Sequence, residues 1–141
     1  MIYLDKEEND MFLQIMNIEE KEKFLEFVYK VANVEGEFAE EEQEIINSYK
    51  KELGVSEIPE TSDIEGLIGY FSTKVDEIKK LVLFEIIGLI NADNKIAKEE
   101  EKILNKVVAS FGLDNEVVER IKSAAKKLQD VYDEVYDVLF G

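Results

Sequence analysis

Residues 24–55 and residues 82–113 are two versions of one pattern, and they lie over each other without a gap at an offset of 58. Eight of the 32 aligned positions are identical, among them Asn33/Asn91, Ala39/Ala97, Glu41/Glu99, Glu42/Glu100, Ile45/Ile103 and Gly54/Gly112. Others exchange like for like: Glu35/Asp93, Gly36/Asn94, Phe38/Ile96 and Val55/Leu113. Each copy reads as an apolar helix, a short acidic turn, and a second helix that opens on acids and stops at a glycine. A single helix-turn-helix unit of this kind cannot bury its apolar face alone, so a duplicated one predicts two units packed on each other. The expected fold is therefore all-α: a single-domain helical bundle of about seven helices with an internal two-fold repeat. Repeat one covers about 20–54, repeat two about 78–112, and a C-terminal helix about 115–139.

A chain of 141 residues that is 45% hydrophobic can bury roughly two-thirds of its unfolded surface, enough for one core. It contains no cysteine and no histidine. That removes thiolate nucleophiles, the commonest general base and the commonest transition-metal ligands. Any metal site must be all oxygen, which points to calcium or magnesium. The net charge of −16 argues against nucleic-acid phosphates and anionic membrane surfaces as partners. The acids are concentrated early: residues 1–60 carry 17 acids against 6 bases, the remainder 16 against 11. The start MIYLDKEEND lacks the basic segment and apolar run of a secretory signal, and the apolar stretch 81–90 is too short to span a bilayer. The chain reads as cytoplasmic.

Pro59 is the single proline, and apolar residues recur at helical spacing almost throughout. A short first helix is expected over 7–16. Asn17 is placed to cap the next, with Phe24, Leu25, Phe27, Val28 and Val31 inward, and Gly54 and Gly112 to end the second helix of each repeat. Residues 54–62 form the main connector, Ser62 is expected to cap a short helix, and Thr73 with Asp76 has capping-box spacing ahead of a central helix over 74–92. Asp114 is expected to cap a last helix. Its Val117, Ile121, Ala124, Leu128, Val131, Val135 and Val138 alternate at steps of four and three, a narrow stripe suited to lying along other helices. Packing across the bundle and self-association are both open to such a stripe, so the chain is read as a monomer or weak dimer.

The acidic turn of copy one looks like a calcium loop with its front missing. With Gly36 at the sixth place of the twelve-residue EF-hand pattern, Asn33, Glu35 and Glu42 fall on the third, fifth and twelfth. The first place, which needs aspartate, is Val31, and in copy two it is Leu89. Without that ligand the loop cannot wrap an ion in the usual manner. A structural role accounts for much of the rest. Glu42 and Glu100 stand where a capping-box glutamate reaches back to a backbone N–H, and their neighbours complement the helix dipole. Phe38 and Ile96 are expected to plug the two turns into the core. Six glutamates among residues 35–44, with no lysine or arginine, exceed what a structural turn requires.

The double pattern "A-x-V/A-D/E-G/N-E-I/F-x-x-E-E", followed by an apolar helix ending in leucine/phenylalanine-glycine, resembles the tellurite-resistance TerB-like domains. The same domain type stands at the front of some membrane-anchored DnaJ-like co-chaperones. The resemblance covers about residues 20–140. It implies an all-helical domain with internal pseudo-symmetry, no catalysis, and a role in bacterial tellurite and stress response. It also implies divalent-ion binding through the acidic turns and docking onto a membrane-protein partner from the cytoplasmic side. Carried over by position, the implied metal ligands are Glu35, Glu37 and Glu42 in copy one and Asp93 and Glu100 in copy two. This chain has Ala39 and Ala97 where a serine or threonine is expected, Glu35-Gly36 and Asp93-Asn94 for aspartate-glycine, and Lys95 opposite Glu37. Those departures make copy one the stronger site and predict weak calcium or magnesium binding, roughly millimolar.

Glu85 interrupts the apolar stretch 81–90. It is expected either on a solvent-reaching strip of the central helix or, buried, as a carboxyl group with a raised pKa. Asp130, Asp133, Glu134 and Asp137 gather near the end of the last helix, as a solvated face or as a docking site for a basic partner. The function expected is thus a non-enzymatic binding module with no nucleic-acid partner. The alternatives are a metal-independent acidic adaptor for a basic protein surface and, third, a magnesium-dependent hydrolase.

Overall fold

Six α-helices carry the apolar pattern in the computed structural model, which describes residues 15–34, 40–58, 60–91 and 98–141, without the side chains of residues 40, 41, 42 and 45. They are α1 (Ile18–Ala32), α2 (Glu40–Leu53), α3 (Ile64–Ser72), α4 (Asp76–Ile90), α5 (Lys98–Phe111) and α6 (Asn115–Phe140). Among the described residues there is no strand, and the helices form one compact domain. The bounds of α1 and α4 differ by 58 at both ends, and so do those of α2 and α5. Gly54 and Gly112 follow α2 and α5 with φ of 69° and 63°.

Asn17 starts α1 through a reciprocal capping box: its side chain accepts from the Glu20 N–H at 2.8 Å, and the Glu20 carboxyl accepts from the Asn17 N–H at 2.9 Å. α1 is buried nearly all round between residues 24 and 28, and α4 buries eight residues from Ile78 to Ile90. These two central helices pack on each other. α2 lies on α1, α5 on α3 and α4, α3 on α1, and α6 along α4. Phe24, Phe27, Phe71 and Phe111 are fully buried; Phe27 stacks on Phe71 at 6.1 Å between ring centroids, and Phe24 meets Tyr49 edge-on at 5.2 Å.

The left-handed glycines have a measurable role. A Cβ at Gly54 or Gly112 would meet no atom within 4 Å, so an alanine there is opposed only by its backbone conformation. Gly54→Ala and Gly112→Ala are each expected to cost about 1–2 kcal/mol, read as a fall of a few degrees in Tm. Unchanged Tm in either would show that the stop is not under that constraint.

Several expected boundaries move. Of the first expected helix, only Ile15 and Met16 are described, and they form a turn. Asp63, not Ser62, caps α3, its carboxylate accepting from the Gly66 N–H at 2.7 Å. The Thr73–Asp76 box is not made: the Thr73 hydroxyl donates back to the Tyr70 carbonyl at 2.9 Å, closing α3, and α4 starts after Val75 without a side-chain cap. Asp114 precedes α6 but makes no side-chain capping bond. The stripe of α6 is also rotated from expectation. α4 covers the side of α6 that carries Val118, Ala125, Gln129 and Tyr132, while Ala124, Val131, Val135 and Val138 stay exposed. The expected plugs Phe38 and Ile96 lie outside the described residues.

Candidate functional site

The acidic turns stand ahead of α2 and α5. Of the five implied ligands, Glu35, Glu37 and Asp93 lie outside the described residues, and Glu42 is placed by its backbone alone, in the first turn of α2. Glu100 is buried, 5% exposed, in the first turn of α5. Its neighbour Glu99 faces outward and pairs with Lys102 at 3.2 Å. Among the described residues no three acidic groups are grouped to hold a metal ion. The residues that can be placed therefore give no multidentate oxygen cage, the arrangement a hard cation needs.

Two carboxyl groups that composition did not single out as ligands are held inside instead. Glu26 has no exposed surface. One oxygen accepts from the Thr61 N–H at 2.7 Å and the Ser62 N–H at 2.8 Å, the other from the Thr61 hydroxyl at 2.8 Å. Lys23 adds bonds to the Thr61 and Ser62 hydroxyls at 2.7 and 3.3 Å. The connector before α3 is thereby pinned to α1. No sequence signal marks Glu26, because all three donors lie 35 or 36 residues downstream.

Glu85 is the second. It turns inward from α4, is only partly exposed, and accepts a short hydrogen bond from the Tyr49 hydroxyl of α2. Burial holds its pKa above the ordinary carboxyl value; the Tyr49 bond opposes that shift, and the nearby Glu52 charge adds to it. Of the two expectations for Glu85, the structure favours the inward one: its carboxyl group turns to Tyr49, although the residue stays half-buried. A further polar junction ties α1 to α3 and α4: Lys74 pairs with Glu20 at 3.3 Å and lies 4.5 Å above the Tyr70 ring. The Tyr70 hydroxyl donates to Glu19 at 2.8 Å, and burial, then that bond, raises its pKa.

The clefts are shallow and open. One of about 430 Å³ is lined by Tyr29, Lys30, Asn33, Glu60, Asp63, Ile64 and Glu65. Of its acids, Asp63 is occupied as a helix cap and Glu65 pairs with Lys106. Among the described residues, most of the exposed large apolar side chains lie on the distal half of α6, with Val138 at 78%, Phe140 at 68% and Leu139 at 61%. Among the described residues no helix is long and apolar enough to cross a membrane. Comparison with protein-family models, with curated proteins and with solved structures gives no match for this chain.

Proposed function

We propose that this chain is a non-enzymatic binding module, as its resemblance to TerB-like domains implies, and that its acidic charge makes a positively charged protein surface the partner it recognises. The observation that carries the reading is the unspent charge. Thirty-three carboxylates face seventeen bases, and six lysines are already paired among the described residues. An acid excess spread over a small domain steers cationic partners and lends specificity and on-rate more than a single deep site would. The glutamates of residues 35–44 are the densest part of that field. Consistent with the resemblance, the partner is a protein on the cytoplasmic side of a membrane, engaged in a stress response of the tellurite-resistance type. The finer architecture belongs to the same proposal: seven helices, with residues 20–54 and 78–112 related by an approximate two-fold rotation.

A divalent ion is the second reading, supported by the acid spacing Asn33, Glu35, Glu42 around Gly36. Calcium titrated into the parent and into a Glu35→Gln/Glu37→Gln/Glu42→Gln variant, followed by amide shifts, separates the two. We expect the parent to bind calcium no tighter than roughly millimolar, and the variant to bind a lysine-rich peptide several-fold more weakly. Identical calcium curves remove the ion site. Peptide affinity unchanged by the triple substitution removes the acidic turn as a recognition element.

A further inference from the structure

The last helix has three sides, and its fold accounts for only one. At 100° per residue, Val118, Ala125, Gln129 and Tyr132 share a sector of about 60°, the side buried against the bundle. Roughly 120° away, Val131, Val135 and Val138 form a second sector, exposed by 50%, 40% and 78%. Asp130, Asp133, Glu134 and Asp137 fill a third, about 100° wide, and no lysine or arginine follows Lys127. Beyond Tyr132, the last residue of α6 that is buried, Tyr136, Leu139 and Phe140 prolong the apolar side into solvent.

The steps of four and three that join Leu128, Val131, Val135 and Val138 are those of a helix-pairing seam. An apolar seam of this kind that is bordered by acids suits an amphipathic helix with lysine or arginine along its edge. We propose that the distal half of α6 docks a cationic amphipathic helix of a partner protein, its apolar residues on Val131, Val135 and Val138 and its basic residues beside Glu134 and Asp137. A second copy fits less well. Pairing distal halves would set these acids against their counterparts on chains that each carry a net charge of −16. Lys126, at 2.9 Å from Asp130, compensates one of the four acids, and Asp133 accepts from the Gln129 amide at 3.1 Å, which leaves Glu134 and Asp137 to a partner. The inference rests on the reading of the chain as a module for basic partners, and it assigns that role a surface.

The test uses two synthetic peptides: an amphipathic helix of about 14 residues, long enough to cover the seam, with leucines at i, i+3, i+4 and i+7 and lysines between them, and a shorter polylysine of the same total charge. Binding is measured to the parent, to Val131→Gln/Val135→Gln/Val138→Gln, and to Asp133→Asn/Glu134→Gln/Asp137→Asn. Five of the six positions are exposed and Asp133 is half-buried beside Gln129, and thermal melts verify that the variants fold. The leucine/lysine helix should bind the parent at least about tenfold tighter than polylysine and lose about tenfold on the valine variant, with polylysine unaffected. The acid variant should weaken both peptides and flatten their salt dependence. Polylysine binding with no preference for the amphipathic peptide would overturn the docking surface and leave the basic-partner reading standing. Binding of neither peptide would end both. A concentration-dependent dimer abolished by the valine variant would assign the seam to a second copy, and tighter peptide binding on removal of residues 1–14 would assign it to the chain's own segment. Either result would overturn the proposal.

Discussion

Glu26→Ala should destabilise the fold by about 2–4 kcal/mol, the largest effect expected of any single polar substitution here. The carboxyl group is wholly buried, and its removal strands the Thr61 and Ser62 N–H groups and the Thr61 hydroxyl. Thr61 is exposed and Ser62 half-buried, so water recovers part of these bonds; the rest of the loss, roughly 1 kcal/mol per bond, adds to the vacated volume around Glu26. Glu26→Gln keeps the shape but turns a donor toward a donor, so an intermediate loss of about 1–3 kcal/mol is expected. Urea unfolding of the three proteins measures both. A loss below about 1 kcal/mol for the alanine variant would mean that the connector is not held through this carboxyl group.

Glu85→Gln should stabilise the protein, and increasingly so as pH rises. Burial raises the folded-state pKa of Glu85 above the ordinary carboxyl value of 4.5. The folded chain therefore keeps a proton that the unfolded chain releases as pH rises past 4.5. The stability tied to that proton is fully present below the unfolded pKa and is lost as pH rises through the folded one. One proton of difference gives a slope of at most about 1.4 kcal/mol per pH unit. Glutamine accepts the Tyr49 hydroxyl without the charge, so the gap between variant and parent should widen from acid toward neutral pH. A gap that stays constant across that range would show that Glu85 titrates as it does in the unfolded chain. Tyr49→Phe should deepen the parent's loss at high pH, because the hydroxyl is the group that supports the charged form.

What was legible in the sequence was whatever depends on neighbours along the chain. The 3.6-residue spacing of Phe24, Leu25, Phe27, Val28 and Val31 identified α1, and all five are fully buried. Asn17 three residues before Glu20 located its start, and Gly54 and Gly112 located two helix ends. Errors arise where a distant residue decides between adjacent options. Ser62 and Asp63 are both competent caps, but the Ser62 hydroxyl accepts from Lys23 while Asp63 bonds the Gly66 N–H. Thr73 can close one helix or open the next, and its bond to Tyr70 commits it to closing. On α6 the heptad steps picked out the right spacing but only part of the right side: Val117, Ile121 and Leu128 are half-buried, while α4 approaches over the side that carries Val118, Ala125 and Tyr132. Glu85 shows the same limit: its spacing allowed an inward or an outward course, and Tyr49, 36 residues earlier, supplies the bond that draws it in.

The candidate site was legible as charge and much less as geometry. The acidic excess and the absence of cysteine and histidine follow from composition, and they narrow the chemistry to oxygen ligands or charge recognition. The glutamates read as two turns divide once placed: Glu100 goes inward while Glu99 goes outward to Lys102. No pattern at the level of residue types distinguishes two adjacent acids on a helix; the face presented to the core does.

The reading as a charge-steered binding module stands or falls most directly on salt. The affinity of the parent for polylysine should fall at least about tenfold between roughly 0.05 and 0.3 M salt, and the slope should shrink in the Glu35→Gln/Glu37→Gln/Glu42→Gln variant. An affinity independent of salt, or no binding at the lower concentration, would contradict it.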